Sequence, residues 1–187
     1  MSIHQTHSEK NAIYFVTFTC FQWLPLIDET SCYQYFNKWF EYLTTQKAYL
    51  LGYVIMPNHF HGLIYVDENS EKTINQFVAN GKRFIAYEII RKLKEQTHHG
   101  ILTKLESGLS RRQVERGSKH AVFISSFDGK LCFDREMVET KLNYIHKNPV
   151  KGKWRLADDW VHYQYSSAGF YELGESNSYL RHYREFI

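Results

Sequence analysis

The sequence has few cysteines, no long apolar run and little net charge. Cys20, Cys32 and Cys132 are odd in number, widely spaced and without the close pairing of a metal-binding motif. They imply no disulfide framework and are typical of a reducing cytosol. No uncharged apolar run approaches the roughly 20 residues that span a bilayer, and no charged-then-apolar leader is present. We therefore expect a soluble, cytoplasmic protein with no membrane partner.

The distribution of charge is more informative than its total. Lys and Arg exceed Asp and Glu by three over the chain, which is a weak indication of an anionic partner. Between residues 82 and 119, however, ten basic residues stand against four acidic ones, and residues 141–155 contain five basic residues and no acid. The aromatic content of 17% suits stacking on unpaired bases as well as core packing.

Length and composition favour a single domain over residues 1–187. The chain is 43% hydrophobic, which is enough for one sizeable core at this length. Hydrophobic periodicity fails over residues 96–119, where we expect an exposed basic excursion with one short helix. The tail, residues 172–187, fits no pattern, so docking on the core, contact with DNA and dimerisation all stay open.

Hydrophobic patterning predicts the order strand, helix, strand, strand, helix, strand, helix. Asp134 is a good N-cap for the last helix, Asn148 should end it before Pro149, and Gly81 marks a bend or a close contact in the second helix. This order predicts an α+β, ferredoxin-like (split β-α-β) antiparallel sheet with helices on one face and an added C-terminal helix. We expect strands at 13–19, 49–56, 59–66 and 121–125, and helices from 29 or 30 to 45, from 69 or 70 through 93, and from 134 to about 147.

Two histidines lie one residue apart at the start of a predicted strand, directly after the turn signal Pro57-Asn58. Side chains alternate between the faces of a strand, so His59 and His61 project together while Phe60 points the other way. Two imidazoles on one face can hold one metal ion. A bare His-x-His pair is nevertheless more often part of a half-solvated sheet.

Tyr144 lies on the predicted last helix but outside its apolar stripe of Val138, Leu142 and Ile145. It shares a face with Asn148, which follows four residues later. A surface or packing tyrosine is the ordinary interpretation when this helix is considered alone.

Three segments follow one another along the chain: Tyr53-Val-Ile-Met-Pro-Asn-His-Phe-His-Gly62, Leu142-Asn-Tyr-Ile-His-Lys-Asn-Pro-Val150 and Tyr165-Ser-Ser-Ala168. Together they resemble the single-tyrosine HUH transposases, specifically the branch called REP-associated tyrosine transposases. The resemblance runs from about Ala12 to about Tyr171, in the family's order.

The resemblance implies a metal-dependent endonuclease and strand transferase that acts on single-stranded DNA, often at hairpins formed by palindromic repeats. His59 and His61 would be metal ligands, Tyr144 the nucleophile, and Asn148 a third ligand or an orienting residue. The ion would be Mg²⁺ or Mn²⁺, and cleavage would leave a covalent 5′-phosphotyrosine. The family includes monomers and dimers, so a homodimer, and the chain that supplies the tyrosine to each site, stay open.

A groove for single-stranded DNA needs cations for phosphates and flat side chains for bases. Lys141 and Lys147 are also candidates for helping Tyr144 lose its proton, since tyrosine has an ordinary pKa near 10. The candidate DNA-binding residues are Lys82, Arg83, Arg91, Lys92, Arg111, Arg112, Arg116, Lys141, Lys147, Lys151, Lys153 and Trp154.

Two other functions stay open. A domesticated protein would keep the site and bind or regulate DNA hairpins without moving DNA, and a covalent protein–DNA adduct would separate it from the enzyme. An RNA-binding ferredoxin-like domain would use aromatic side chains on its sheet and need no metal. The hydrophobic hairpin over residues 53–66 and the histidine pair make this last function less favoured.

Overall fold

A computed structural model of the chain describes residues 7–152 and 154–187. The strands are β1 Ala12–Thr19, β2 Ala48–Met56, β3 His59–Val66 and β4 Asp128–Cys132. The α-helices are α1 Leu26–Glu29, α2 Phe36–Thr45, α3 Ile74–Glu95, α4 His99–Ser107, α5 Arg111–Glu115, α6 Arg135–Lys147 and α7 Ala168–Glu172. Short 3-10 turns occupy Phe21–Trp23, Cys32–Tyr35, Asn148–Val150 and Tyr183–Glu185.

The four strands form one antiparallel sheet in the order β2-β3-β1-β4. This order confirms the predicted α+β, ferredoxin-like arrangement. Side chains of alternating residues enter two separate cores. Tyr14 and Val16 of β1 pack with α2 and α3 on one face, whereas Ile13 and Phe15 pack with α6 on the other. The added C-terminal helix therefore covers the sheet face that the other two helices leave.

Helix α6 begins and ends where the sequence predicts. The Asp134 carboxylate accepts a hydrogen bond from the Met137 backbone N–H at 2.7 Å, which satisfies one free donor of the first turn. The α-helix ends at Lys147, but Pro149 does not push Asn148 out of helical geometry: Asn148 keeps helical dihedrals (φ −60°, ψ −42°), and the chain continues as the 3-10 turn Asn148–Val150. On the sheet side, a Cβ at Gly52 would lie 2.5 Å from Leu142 Cδ1, so α6 can approach β2 this closely only because residue 52 is glycine.

The predicted fourth strand at 121–125 is wrong, and β4 lies at Asp128–Cys132 instead. Residues 121–123 are apolar and buried, but they join the sheet only through an isolated bridge between Cys20 and Phe123. β4 is an edge strand with exposed and half-buried positions, and its composition therefore carries little strand signal.

Two predicted helix starts are also early. The chain from residue 29 to Tyr35 forms the end of α1 and a 3-10 turn, and continuous helix begins only at Phe36. Helix α3 begins at Ile74, because Thr73 and Gln76 form a complete capping box there. Gly81 is a close contact and not a bend, since the helix continues past it with Trp39 packed against it.

The basic excursion has more structure than expected. It contains both α4 and α5, and Leu102 and Leu105 of α4 are buried in the core. The tail docks on the core: Leu180 and Tyr183 are buried, and the Arg181 N–H donates to the Leu50 carbonyl at 3.0 Å. Among the described residues, no helix combines the length and apolar composition that a bilayer span requires.

Candidate active site

The two histidines of β3 share the face that α6 covers. Their ring centroids are 4.7 Å apart with planes at 77°, and both side chains are buried. In the sheet, His59 pairs with Thr19 of β1 and Met56 of β2, and His61 pairs with Thr17 of β1. The alternation along one strand therefore brings both imidazoles to one place.

The hydrogen bonds of Asn58 determine the tautomer of His59. Asn58 Nδ2–H donates to the Trp23 carbonyl at 3.0 Å, which orients the amide and turns Oδ1 toward the next residue. Asn58 Oδ1 is 2.7 Å from His59 Nδ1, and an amide oxygen can only accept. Nδ1 therefore carries the proton, and Nε2 of His59 keeps its lone pair for a ligand.

His61 is held by β1. Its Nδ1 lies 2.6 Å from the Thr17 hydroxyl, and its ring stacks on Phe15 at 5.6 Å between centroids. Because a hydroxyl can accept the Nδ1 proton, this contact is compatible with a free lone pair on Nε2 of His61 as well.

Both imidazoles are neutral at physiological pH. Burial lowers the pKa of His59 to about 4, an effect that a side-chain hydrogen bond with Asn148 partly opposes. Burial, and then the charges of His59 and Lys141, lower the pKa of His61 to about 3. Neutral imidazoles are the form that binds metal. In the described ranges, no three His, Cys, Asp or Glu side chains cluster as a metal site.

Tyr144 of the same chain lies over the histidines. Its ring centroid is 5.1 Å from that of His61 and 6.0 Å from that of Phe15, and the side chain is 46% exposed. Nearly half of Tyr144 is therefore accessible to a large substrate. Lys141, one turn earlier on α6, places its ammonium 4.9 Å from the centre of the Phe15 ring. The structure thus brings together His59, His61, Tyr144, Asn148 and Lys141.

This chain is similar over nearly all of its length to a solved structure described as a REP-associated tyrosine transposase bound to a REP hairpin. The alignment covers 97% of this chain and 94% of that one, at a TM-score of 0.61 and 15% sequence identity. This chain has the fold of that transposase. At this identity the similarity establishes the fold, and the roles of individual residues need separate support.

A second solved structure, a "putative transposase" from Deinococcus radiodurans R1, aligns with 79% of this chain and 97% of its own length. Its identity is 13% and its TM-score is 0.44, which is too low to support an argument about this chain. A scan against models of protein families and a search of curated proteins both find no match.

Several predicted DNA-binding residues on α3 already have partners, and α3 covers the face opposite the histidines. Arg91 forms ion pairs with Glu88 at 2.8 Å and with Glu95 at 2.5 Å, and Lys92 lies 3.5 Å from Glu95. The Lys82 ammonium donates to the carbonyls of residues 124, 125 and 126 at 2.6, 3.2 and 3.1 Å. In this structure these three cations bind groups of the protein itself and stabilise the fold.

The cations of the excursion are exposed. Arg111 pairs with Glu115 at 3.1 Å, whereas Arg112 and Arg116 make no ion pair within the described part of the chain. Arg83 of α3 is likewise exposed and unpaired there. Arg83, Arg112 and Arg116 therefore remain available for phosphates.

The third group of candidates lies on the face of the histidines. Lys141 and Lys147 flank Tyr144 on α6 and are half-buried, and Lys151 is exposed just beyond the helix. Trp154 packs against the core under α6. Lys153 lies outside the described residues.

Both faces of the sheet are covered, by α2 and α3 on one side and by α6 on the other. The strand aromatics Tyr14, Phe18 and Phe60 are fully buried. An RNA-binding domain of this fold would need such aromatics on an open sheet face. The structure therefore gives no support to that alternative.

Sequence reasoning missed the residues that hold the site in place. The sequence indicates Asn58 only as a turn residue and Thr17 only as part of a strand, although each contacts a histidine ring. Ser167 belongs to the motif Tyr165-Ser-Ser-Ala168, which by itself indicates no role for it; its hydroxyl lies 2.8 Å from Nε2 of His146 on α6 and accepts the Tyr53 N–H at 2.9 Å. The one local signal in the sequence is the asparagine directly before the His-x-His pair.

Proposed function

We propose that this protein is a metal-dependent single-stranded DNA endonuclease and strand transferase, a transposase of the REP-associated tyrosine type, with Tyr144 as nucleophile. The observation that carries the proposal is the approach of the Tyr144 ring to 5.1 Å from the ring of His61, beside a second buried histidine. A tyrosine nucleophile, neutral imidazoles that can bind a metal ion and a neighbouring cation are groups that phosphodiester cleavage can use.

The residues fit a divalent ion. His59 and His61 would hold it through Nε2, because their Nδ1 atoms face Asn58 and Thr17. Asn148, whose side chain interacts with His59, would supply an amide oxygen or orient that ring. Nitrogen ligands together with oxygen favour Mn²⁺, and Mg²⁺ is also compatible. When bound, the ion would neutralise the non-bridging oxygens of the scissile phosphate.

In the proposed reaction Tyr144 attacks phosphorus in line with the bond to the 3′-oxygen. The new bond joins phosphorus to the tyrosine oxygen, the bond from phosphorus to the 3′-oxygen breaks, and the tyrosine proton is balanced by one gained at that oxygen. The products are a 5′-phosphotyrosine and a free 3′-hydroxyl. Lys141 is the better placed of the two candidate lysines for assisting, because its charge already acts on His61.

The substrate we propose is DNA with a hairpin formed by a palindromic repeat. The solved transposase with this fold is bound to a REP hairpin, which supports the same class of ligand here. Because Tyr144 and the histidines come from one chain, we propose that cleavage occurs within a monomer. A homodimer and a cytoplasmic location stay predictions.

Adduct formation tests the proposal directly. Purified protein is incubated with labelled hairpin oligonucleotides taken from the flanks of its own gene, with Mn²⁺, Mg²⁺ or chelator, and resolved on a denaturing gel. We expect a slow-migrating adduct that needs metal and disappears in Tyr144→Phe. Tyr42→Phe is the matched control, since Tyr42 contacts Lys72 on the other side of the sheet.

An adduct that forms equally in Tyr144→Phe would assign the nucleophile to another residue. Tight hairpin binding without any adduct would favour the domesticated DNA-binding protein over the enzyme. An adduct that persists in chelator would refute the metal requirement.

A further inference from the structure

A cleft of about 910 Å³ lies between helix α3 and the segment 116–127. Among the described residues, no aspartate or glutamate lines it. It is separate from the histidine site, which lies under α6 on the other face of the sheet. Lys82 holds its wall in place, because the Lys82 ammonium donates to the carbonyls of residues 124–126.

Four exposed cations border the cleft from both sides. Arg83 and Lys94 come from α3, and Arg116 and Lys119 from the opposite segment. Within residues 7–152 and 154–187 none of the four forms an ion pair, unlike Arg91 on the same helix. His120 also lines the cleft, but it lies 3.3 Å from the Glu106 carboxylate and is not a free cation. Four unpaired cations around one cleft favour an anionic occupant.

The floor of the cleft is apolar, and an exposed aromatic ring lies at its edge. Ala86, Ile90, Val122 and Phe127 contribute to the lining, and Tyr87 at its edge is 72% exposed. A DNA duplex presents phosphates and sugars outward and would leave such a floor without a partner. An unpaired strand presents bases to the apolar surface and phosphates to the cations, which is the pattern of single-strand binding sites.

The cleft adjoins the end of the sheet at which the histidine pair begins. The Ile124 N–H donates to the Thr19 carbonyl at 2.9 Å, and the Phe21 N–H donates to the Val122 carbonyl at 2.8 Å. Thr19 is in turn the β1 partner of His59. One wall of the cleft is therefore attached to the strand next to the histidines.

We infer that this cleft is a second DNA site, which binds an unpaired segment flanking the hairpin while the hairpin-proximal strand lies at Tyr144. The phosphates contact Arg83, Lys94, Arg116 and Lys119, and a base stacks on Tyr87. The inference rests on the DNA substrate of the proposed function but not on cleavage.

Binding in chelator tests the cleft independently of the reaction. Fluorescence anisotropy measures the affinity of the full chain for a hairpin with a single-stranded flank and for the same hairpin without the flank, over a range of salt. The variants are Tyr87→Ala and the double variant Arg83→Gln with Lys119→Gln. Lys47→Gln is the matched control, because Lys47 is exposed next to the first residue of β2, at the end of the sheet away from His59.

We expect the double variant to bind the flanked hairpin more weakly and to lower the slope of log affinity against log salt by about 1.4, or about 0.7 per lost contact. Tyr87→Ala should weaken binding of the flanked hairpin about fivefold or more and leave the flankless hairpin unaffected. Lys47→Gln should match the wild type. Unchanged melting temperatures would show that these surface changes leave the fold intact.

Affinity of the double variant equal to that of Lys47→Gln would overturn the inference. Equal losses for both hairpins would also overturn it, because the duplex would then be the occupant, and so would a wild-type chain that binds no DNA. Cleft-dependent binding without an adduct would refute only the cleavage reaction and leave the cleft site standing.

Discussion

Ser167 joins the tyrosine helix to the edge of the sheet, and replacing it with alanine should destabilise the protein substantially. Ser167 is 1% exposed, and its hydroxyl accepts the Tyr53 N–H at 2.9 Å and lies 2.8 Å from His146 Nε2. β2 is an edge strand, so the outward Tyr53 N–H has no partner strand. Ser167→Ala therefore leaves two buried polar groups without this partner.

The expected loss follows from these two groups. Each buried donor or acceptor left unsatisfied costs about 1–3 kcal/mol, so Ser167→Ala should lower the free energy of unfolding by about 3 kcal/mol. For a chain of this length that corresponds to a melting temperature lower by about 6–12 °C. Urea titration and a thermal melt followed by circular dichroism measure both quantities.

Ser166→Ala is the matched control. The Ser166 hydroxyl is half-buried and makes longer hydrogen bonds within its own turn, donating to the Tyr163 carbonyl at 3.1 Å and accepting from the Ala168 N–H at 3.2 Å. Its removal should cost about 1 kcal/mol or less. The reasoning is refuted if Ser167→Ala and Ser166→Ala have the same stability.

Three further predictions concern other positions. Gly81→Ala should destabilise by about 1–3 kcal/mol in urea titration despite the better helix propensity of alanine, because its Cβ would lie 2.4 Å from the buried Trp39 ring. Asn58→Ala should weaken Mn²⁺ affinity about 10–100-fold by calorimetry, since it removes the acceptor that orients His59. Burial lowers the pKa of His146 to about 4, so the neutral form stabilises the fold. That contribution is complete above about pH 6.5 and is lost as the pH falls toward 4, by about 3 kcal/mol in total, and metal-free His146→Gln should lose correspondingly less than wild type.

Each of these has a contradicting result. Unchanged or higher stability of Gly81→Ala would mean that Trp39 moves away at no cost. Wild-type Mn²⁺ affinity in Asn58→Ala would mean that packing alone orients His59. An equal decrease in stability of wild type and His146→Gln between pH 6.5 and 4 would assign the acid sensitivity to other groups.

Local sequence was sufficient where the physics is local. The side chains of His59 and His61 share a face because strand side chains alternate, whatever the rest of the chain does. Asp134 sets the start of α6 by capping its first turn. Strand β3 was predicted at its observed bounds, because a turn signal and an apolar run define it.

Local sequence was insufficient where burial and pairing compete. The apolar segment 121–125 has the composition of a strand, but the open edge of β1 is occupied by the more polar Asp128–Cys132. A buried loop and a buried strand have similar compositions, so only the three-dimensional arrangement separates them. The same limit applies to Lys82: nothing local indicates that its ammonium donates to the carbonyls of residues 124–126, whereas the ion pairs of Arg91 follow from its helical spacing to Glu88 and Glu95.

The sequence by itself determined the class of fold, the shared face of the histidines and the helix that carries Tyr144. The tertiary structure alone decided that α6 packs on the histidine face, through the close approach of Leu142 to Gly52. It also decided which groups fix the histidine rings, since Asn58 reaches one ring through a turn and Thr17 reaches the other from a neighbouring strand. The reason is physical: side-chain periodicity is set along the chain, whereas packing and hydrogen-bond partners come from residues distant in sequence.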